Sequence, residues 1–279
     1  MTASLSPAAH SAPGAPVRAT AGRVCPVCDS AERAGLPKYS PDPWQVVQCA
    51  ECNLVYLANP VDYAELEETF AWEKTYVEKS AKGGSTRLSP AIRKLRTRLG
   101  LRHDGKTDRF REWFGDGAVL DIGCGTAQRI TPPMTPFGIE LSTVLHAAAD
   151  TTMRAQGGYC LHGAGAETIW DFDAEQFDGI LMHSYLEHET DVMRVLQGAH
   201  RALKPTGAVY IRVPNFGSLN RRVIGPKWCG FRYPDHVNYF TLATLTDAAR
   251  RAGFDLQLVN GARLMIDDNI QALLRKTAP

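Results

Sequence analysis

No apolar stretch in this 279-residue chain approaches the roughly 18 residues that carry a helix across a bilayer, so no membrane span is expected. Charge of one sign is missing as well: 31 Lys and Arg stand against 30 Asp and Glu, a formal net of +1. So balanced a chain has no general attraction for nucleic acid or an anionic lipid surface, which argues against either as partner. The opening residues, MTASLSPAAHSAPGAPVRAT, lack the basic start and continuous apolar centre of a secretory signal. The setting expected is the cytoplasm, with residues 1–22 an Ala/Pro/Ser-rich disordered tail. What remains is ordinary for a globular protein: 44% hydrophobic and 22% charged residues, enough chain for one α/β core and a smaller module.

Cysteine is not scarce, and its spacing carries information. Four of the 7 cysteines fall as Cys25-Pro-Val-Cys28 and Cys49-Ala-Glu-Cys52, two C-x2-C pairs separated by 20 residues. Two such pairs can surround one tetrahedral Zn²⁺ with four thiolates at roughly 2.3 Å. Asp29 and Asn53, just after the pairs, are residue types that tolerate the left-handed backbone of a metal knuckle. Two disulfides would suit a secreted chain, and a redox C-x2-C would normally occur once at a helix start. A structural zinc ribbon over residues 23–60 is the expectation. Four protein ligands leave no open position, so such a metal builds the fold and does not catalyse. Cys124, Cys160 and Cys229 are scattered and read as packed residues.

Residues 61–115 turn helical and charged, a connector or cap. Tyr63, Leu66, Phe70, Trp72 and Tyr76 fall broadly on one side of a helix that stops at Gly83-Gly84. The Arg/Lys-rich run over 87–111 reads as a solvated helix face. Its sharper alternative is a patch for a phosphate-bearing substrate or an RNA backbone.

From Ala118 strands and helices alternate, as in an open parallel sheet. Strands are expected at AVLDI, FGIELS, FDGILMHS, GAVYIRVP, FDLQLVN and NIQALLRK, the last antiparallel. Helices are expected at TVLHAAADTTMRAQ, DVMRVLQGAHRAL and TLATLTDAARRAG. Ligands of such sheets lie at the carboxyl ends of the strands, beside Asp121, Glu140 and His183 to His188. A dinucleotide would want G-x-G-x-x-G, but Gly123 and Gly125 are followed by Gln128. An acidic Asp121 directly before the glycines also sits badly beside a pyrophosphate and well beside a cation. S-adenosylmethionine carries an ammonium and a sulfonium and no phosphate. Glu140, at the next strand tip, can accept both ribose hydroxyls.

VLDIGCGTA, GIELS, FDGILMHSYLEH and LKPTGAVYIRVPN, in this order, resemble the class I S-adenosylmethionine-dependent methyltransferases. The branch resembled is that of ubiquinone-biosynthesis-type and other small-molecule enzymes. The match runs from residue 116 to about 260, within a domain expected to span 116–279. CPVC…CAECNLVYLANP resembles zinc-ribbon heads found on some of them, and WCGFRYPDHVNYFT their acceptor-side segment. The resemblance implies a Rossmann-like α/β sheet with a small ribbon and a helical connector. It implies S-adenosylmethionine as co-substrate, held by Asp121, Gly123, Gly125, Glu140, Leu141, Ala166 and His183, and a small-molecule acceptor.

Three departures stand out. Ala127 replaces the usual third glycine of the loop. Gly165 stands where a polar side chain often reaches the adenine amine, so backbone near Ala166 and apolar contact from Leu141 and Ile169 are expected there, with Glu167 facing solvent. Pro132-Pro133 cuts the first helix to about one turn, Ala127 to Ile130. The basic helical segment, or a second copy of the chain in a homodimer, should cover the gap this leaves.

Methyl transfer from a sulfonium needs in-line placement, and a hydroxyl acceptor also needs a base. His183, Tyr185 and His188 approach from one rim, and Asp235, His236 and Tyr239 from the other. His236 is the first choice of base, with His188 either a base or a helix cap and Tyr239 the remaining candidate. Trp228, Phe231 and Tyr239 form either an acceptor wall or ordinary core. Two other functions compete: a ribbon-bearing RNA methyltransferase, which lacks its usual Pro-Pro-aromatic motif here, and a cofactor-binding scaffold without catalysis.

Overall fold

A computed structural model describes residues 22–61 and 106–277. The tail and most of the connector, including the expected helix around Tyr63 to Tyr76, lie outside the described residues.

The main sheet has seven strands. In chain order they are β4 (Ala118–Ile122), β5 (Thr135–Glu140), β6 (Tyr159–His162), β7 (Phe177–His183), β8 (Leu203–Pro214), β10 (Phe254–Leu258) and β11 (Asn269–Lys276). Their spatial order is β10-β11-β8-β7-β4-β5-β6. The pairs from β6 across to β8 are parallel. β11 runs antiparallel between β8 and β10. Apart from β6, the expected strands are present within a few residues of their expected ends. Edge strand β6 was not anticipated. It is four residues long, pairs on one side only and keeps just Cys160 buried, too little apolar pattern to announce itself.

The central strands are buried on both faces, as parallel strands require. In β4, Leu120 and Ile122 enter one apolar cluster and Val119 another. Helices α2 (Thr143–Arg154), α3 (Gly165–Thr168) and α4 (Val192–Ala202) belong to the crossovers between the strands. Ser142 Oγ caps α2 by accepting from the Leu145 amide, and Asp191 caps α4 by accepting from that of Arg194. Their bounds agree with the periodicity.

The expected turn of helix over 127–130 is absent. Ala127 has φ +59, a left-handed backbone that ends a helix at once, and residues 123–134 run as turns. The exposed flank is covered from within the chain. Helix α1 (Lys106–Phe114), the end of the basic segment, brings Phe110 and Phe114 against Val119, Ile130 and Met134. Trp113 stacks on Tyr210 at 5.2 Å.

The cysteine-bearing segment is joined to this body by backbone. Strands β1 (Arg33–Gly35), β2 (Val46–Cys49) and β3 (Val55–Leu57) form an antiparallel sheet whose fourth strand, β9 (Asn238–Tyr239), comes from the WCGFRYPDHVNYFT segment. Val55 pairs with Tyr239 and Tyr56 with Asn238. Arg23 reinforces the junction: its guanidinium donates to the carbonyls of Leu57, Thr190 and Val237 and to Asn238 Oδ1 at 2.6–3.0 Å.

Candidate active site

Asp121 and Glu140 stand at the carboxyl ends of adjacent parallel strands, buried to 1% and 6% exposure. Gly123 and Gly125, at φ +70 and +60, fold the turn after β4 back over β5, and the amides of Gly123 and Cys124 donate to Ile139 O. Glu140 locks the turn: Oε2 accepts from Gly125 N at 2.7 Å and Oε1 from Ser142 N at 3.0 Å. Each oxygen keeps a lone pair for a further donor. Burial pushes the Glu140 carboxyl up, against the pull of these amides. Asp121 is pushed up to about 6 by burial, although the Arg129 guanidinium beside it acts the other way. Arg129 Nη1 lies 3.0 Å from Asp121 Oδ2, while Asp121 Oδ1 has no hydrogen-bond partner among the described residues.

Arg129 escaped the sequence reading. Its only signal is a cation eight residues after the aspartate. Tyr185, read merely as near the methyl-donor end, covers the loop. A Cβ at Gly123 would lie 3.1 Å from its Cδ2, and one at Gly165 would collide with its hydroxyl. Gly165 is therefore glycine because Tyr185 occupies the space. The Tyr185 hydroxyl donates to Glu189 Oε2.

One adenine-side expectation, that for Ile169, needs correction. Ile169 is fully buried and packs against Gly198 of α4, so it faces the core. The Ala166 carbonyl accepts from Arg194 Nε at 3.1 Å and is turned to that side chain. Leu141 is half-buried, its carbonyl bonded to His162 Nε2 at 2.8 Å. Glu167 does face solvent, paired with Arg194. His183 ends β7, half-buried, its ring 6.4 Å from that of Tyr210.

The two rims expected to flank an acceptor meet. The rings of His188 and His236 lie 4.7 Å apart at 85°. His188 Nδ1 is 2.7 Å from Asp235 O and His236 Nδ1 2.8 Å from Gly230 O, contacts that place each ring's proton on Nδ1. Burial holds both imidazoles neutral, His188 down to about 3 and His236 down to about 4. Tyr239 donates its hydroxyl proton to His236 O and is 1% exposed, so its role here is to hold backbone. Trp228 and Tyr239 join Val46, Val55 and Leu57 in one buried cluster, with Phe231 against it, so they pack the ribbon sheet to the body. Trp228 Nε1 donates to Asp268.

The four ribbon cysteines converge, with sulfurs all within 4.8 Å of one another. Cys25 and Cys52 sulfurs are 3.4 Å apart and those of Cys28 and Cys49 3.5 Å, all four unbonded thiols. A tetrahedron with metal–sulfur bonds of about 2.3 Å has edges of about 3.8 Å. Asp29 and Asn53 have φ +58 and +62, the knuckle geometry their residue types suggested. Burial opposes a thiolate at Cys25, and the amides of Val27 and Cys28 facing its sulfur favour one. These residues fit a tetrahedral thiophilic ion.

Residues 86–259, well over half of the chain, match the profile of a family described as methyltransferase domain. The chain belongs to this family. Its sheet agrees with that of an S-adenosylmethionine-dependent methyltransferase from Archaeoglobus fulgidus. The two share 15% identity over 72% of this chain and 99% of the other, at a TM-score of 0.50. Another, from Thermotoga maritima, shares 21% identity over 61% and 96% at 0.45. No curated protein matches the chain. The fold is thus that of an S-adenosylmethionine-dependent methyltransferase and the family that of the methyltransferase domain, and among the described residues no helix is long and apolar enough to cross a membrane.

Proposed function

We propose that this methyltransferase moves the methyl group of S-adenosylmethionine to a hydroxyl or amine of a small-molecule acceptor. The observation that carries the reading is the pair of buried carboxylates at adjacent strand tips, set around a left-handed glycine turn. Bound there, the co-substrate supplies a methyl group activated by a sulfonium. Asp121 offers its unpartnered Oδ1 to the ammonium, and Arg129 brings a counter-charge for the carboxylate of the same zwitterion. Glu140 takes the ribose hydroxyls on the lone pairs that Gly125 and Ser142 leave free. Gly123, Gly125, Leu141, Ala166 and His183 line the crevice, and Tyr185 closes it. Across from the donor, the unprotonated Nε2 atoms of His236 and His188 accept a hydrogen bond from the acceptor's hydroxyl or amine and aim it at the methyl group, with Tyr239 holding the His236 backbone. The four ribbon cysteines hold one zinc, whose role is to fix the acceptor rim.

Titration with S-adenosylhomocysteine tests the donor site. Removing the ribose clamp in Glu140→Ala should weaken binding about 100-fold, the worth of two hydrogen bonds to a charged acceptor. Glu140→Gln, which keeps the shape and one acceptor oxygen, should lose less. Unchanged affinity in Glu140→Ala would remove the assignment.

A further inference from the structure

Glu187 lies beside His188 and His236 and takes no part in holding the methyl donor or the acceptor. It is 1% exposed, and its Oε2 has no hydrogen-bond partner among the described residues. Leaving an oxygen so placed costs free energy unless something binds it. A Glu187 carboxylate oxygen and one nitrogen from each of His188 and His236 all lie within 4.8 Å of one another. In a metal site three such ligands, each about 2.1 Å from the ion, stand about 3.0–3.6 Å apart. Closure by at most about 1–2 Å would complete the set.

We infer that Glu187, His188 and His236 form a binding site for a first-row divalent transition metal of the zinc, cobalt or manganese class. Two imidazole nitrogens and one carboxylate oxygen suit these ions better than the all-oxygen shells of calcium or magnesium. The backbone supplies the outer support. The carbonyls of Asp235 and Gly230 each hold one ring at Nδ1, as ligating histidines are usually held at the nitrogen that does not bind metal. The Glu187 carbonyl accepts from the amides of Val237 and Asn238, so both rims are tied before any ion enters. Arg232 and Arg212 bring positive charge near and the Asp235 carboxylate negative, with Arg232 and Asp235 paired at 3.5 Å. Three protein ligands leave positions open, and His188 is partly exposed there. With an ion bound, His188 and His236 act as ligands in place of hydrogen-bond acceptors, and an acceptor hydroxyl taking an open position would release its proton to water at lower pH.

Cobalt(II) titration of the full chain, with the ribbon already loaded with zinc, tests this without any methyl donor. Its outcome is therefore separate from the fate of the methyl-transfer reading. The wild type should take up one equivalent with weak visible bands and no thiolate charge-transfer absorption. Paramagnetic broadening should fall on the His188 and His236 imidazoles. Glu187→Gln, which preserves volume, and His236→Ala should each weaken uptake at least tenfold. No uptake by the wild type, broadening at other histidines, or full affinity in a folded Glu187→Gln overturns the site.

Discussion

Asp121 shows how burial alone can give one side chain a working pH range. Its carboxyl is pushed up to about 6, against about 3.9 for an exposed aspartate, because burial outweighs the Arg129 charge. The folded chain therefore takes up this proton first on acidification. The cost of the charged form to stability, present above pH 6, fades as the pH falls towards about 4. Cofactor binding runs the other way, since an ammonium needs the charged carboxylate. Affinity for S-adenosylhomocysteine should fall from pH 7 to pH 5, approaching tenfold per unit below about 6. Asp121→Asn should bind weakly with a flat profile. Calorimetry across that range checks both, and a flat wild-type profile would place the ammonium elsewhere. Asp121 and Glu140 were legible because a carboxylate ending an apolar run is chemically conspicuous. Arg129 was not, and Tyr185 only as a residue of the donor end, since what makes them matter is a fold-back of the chain over Gly123.

Elements were legible in proportion to how locally they are determined. β4, β7 and β8 are apolar runs that report burial by themselves, and the caps at Ser142, Asp191 and Thr241 mark helix starts. The third of these helices, α5 (Leu242–Arg251), carries a capping box between Thr241 and Thr244. β9 has two residues, and nothing local says that they pair with β3. Asn238 is the residue that makes the pairing specific. Its amide donates to Leu186 O at 2.9 Å and Glu189 O at 2.6 Å, and its Oδ1 accepts from Arg23. Asn238→Ala strands these buried groups and should cost about 2–4 kcal/mol in urea unfolding. Asn238→Asp should cost at least as much. It keeps the acceptor for Arg23 but turns an oxygen against two carbonyl oxygens. An Asp variant as stable as wild type would mean that the side chain's donors are idle.

At the scale of the whole molecule, the cysteine-bearing segment and the main body share a sheet and a core. Cys25, Val27, Cys49, Leu54 and Tyr56 belong to the same apolar cluster as Leu120 and Ile180. The sequence reads as a head followed by a catalytic domain, because the residues joining them are some 180 positions apart, at Val55 and Tyr239. The metal would thus hold the rim that carries His236, while the donor crevice stands on β4 and β5, which pair with other strands of the main sheet. Cys49→Ser separates the two. It removes one of four ligands and should release the zinc, since an incomplete tetrahedron binds far less tightly. Amide exchange should then quicken in β2, β3 and residues 230–241, while β4 and β5 stay protected and S-adenosylhomocysteine binds within about threefold of wild type. Metal analysis should fall by one zinc per chain. If exchange instead quickened evenly through both sheets, the ribbon would be part of the global folding unit and not a separable support for the acceptor rim. If it quickened nowhere, the pairing of β3 with β9 would owe nothing to the metal.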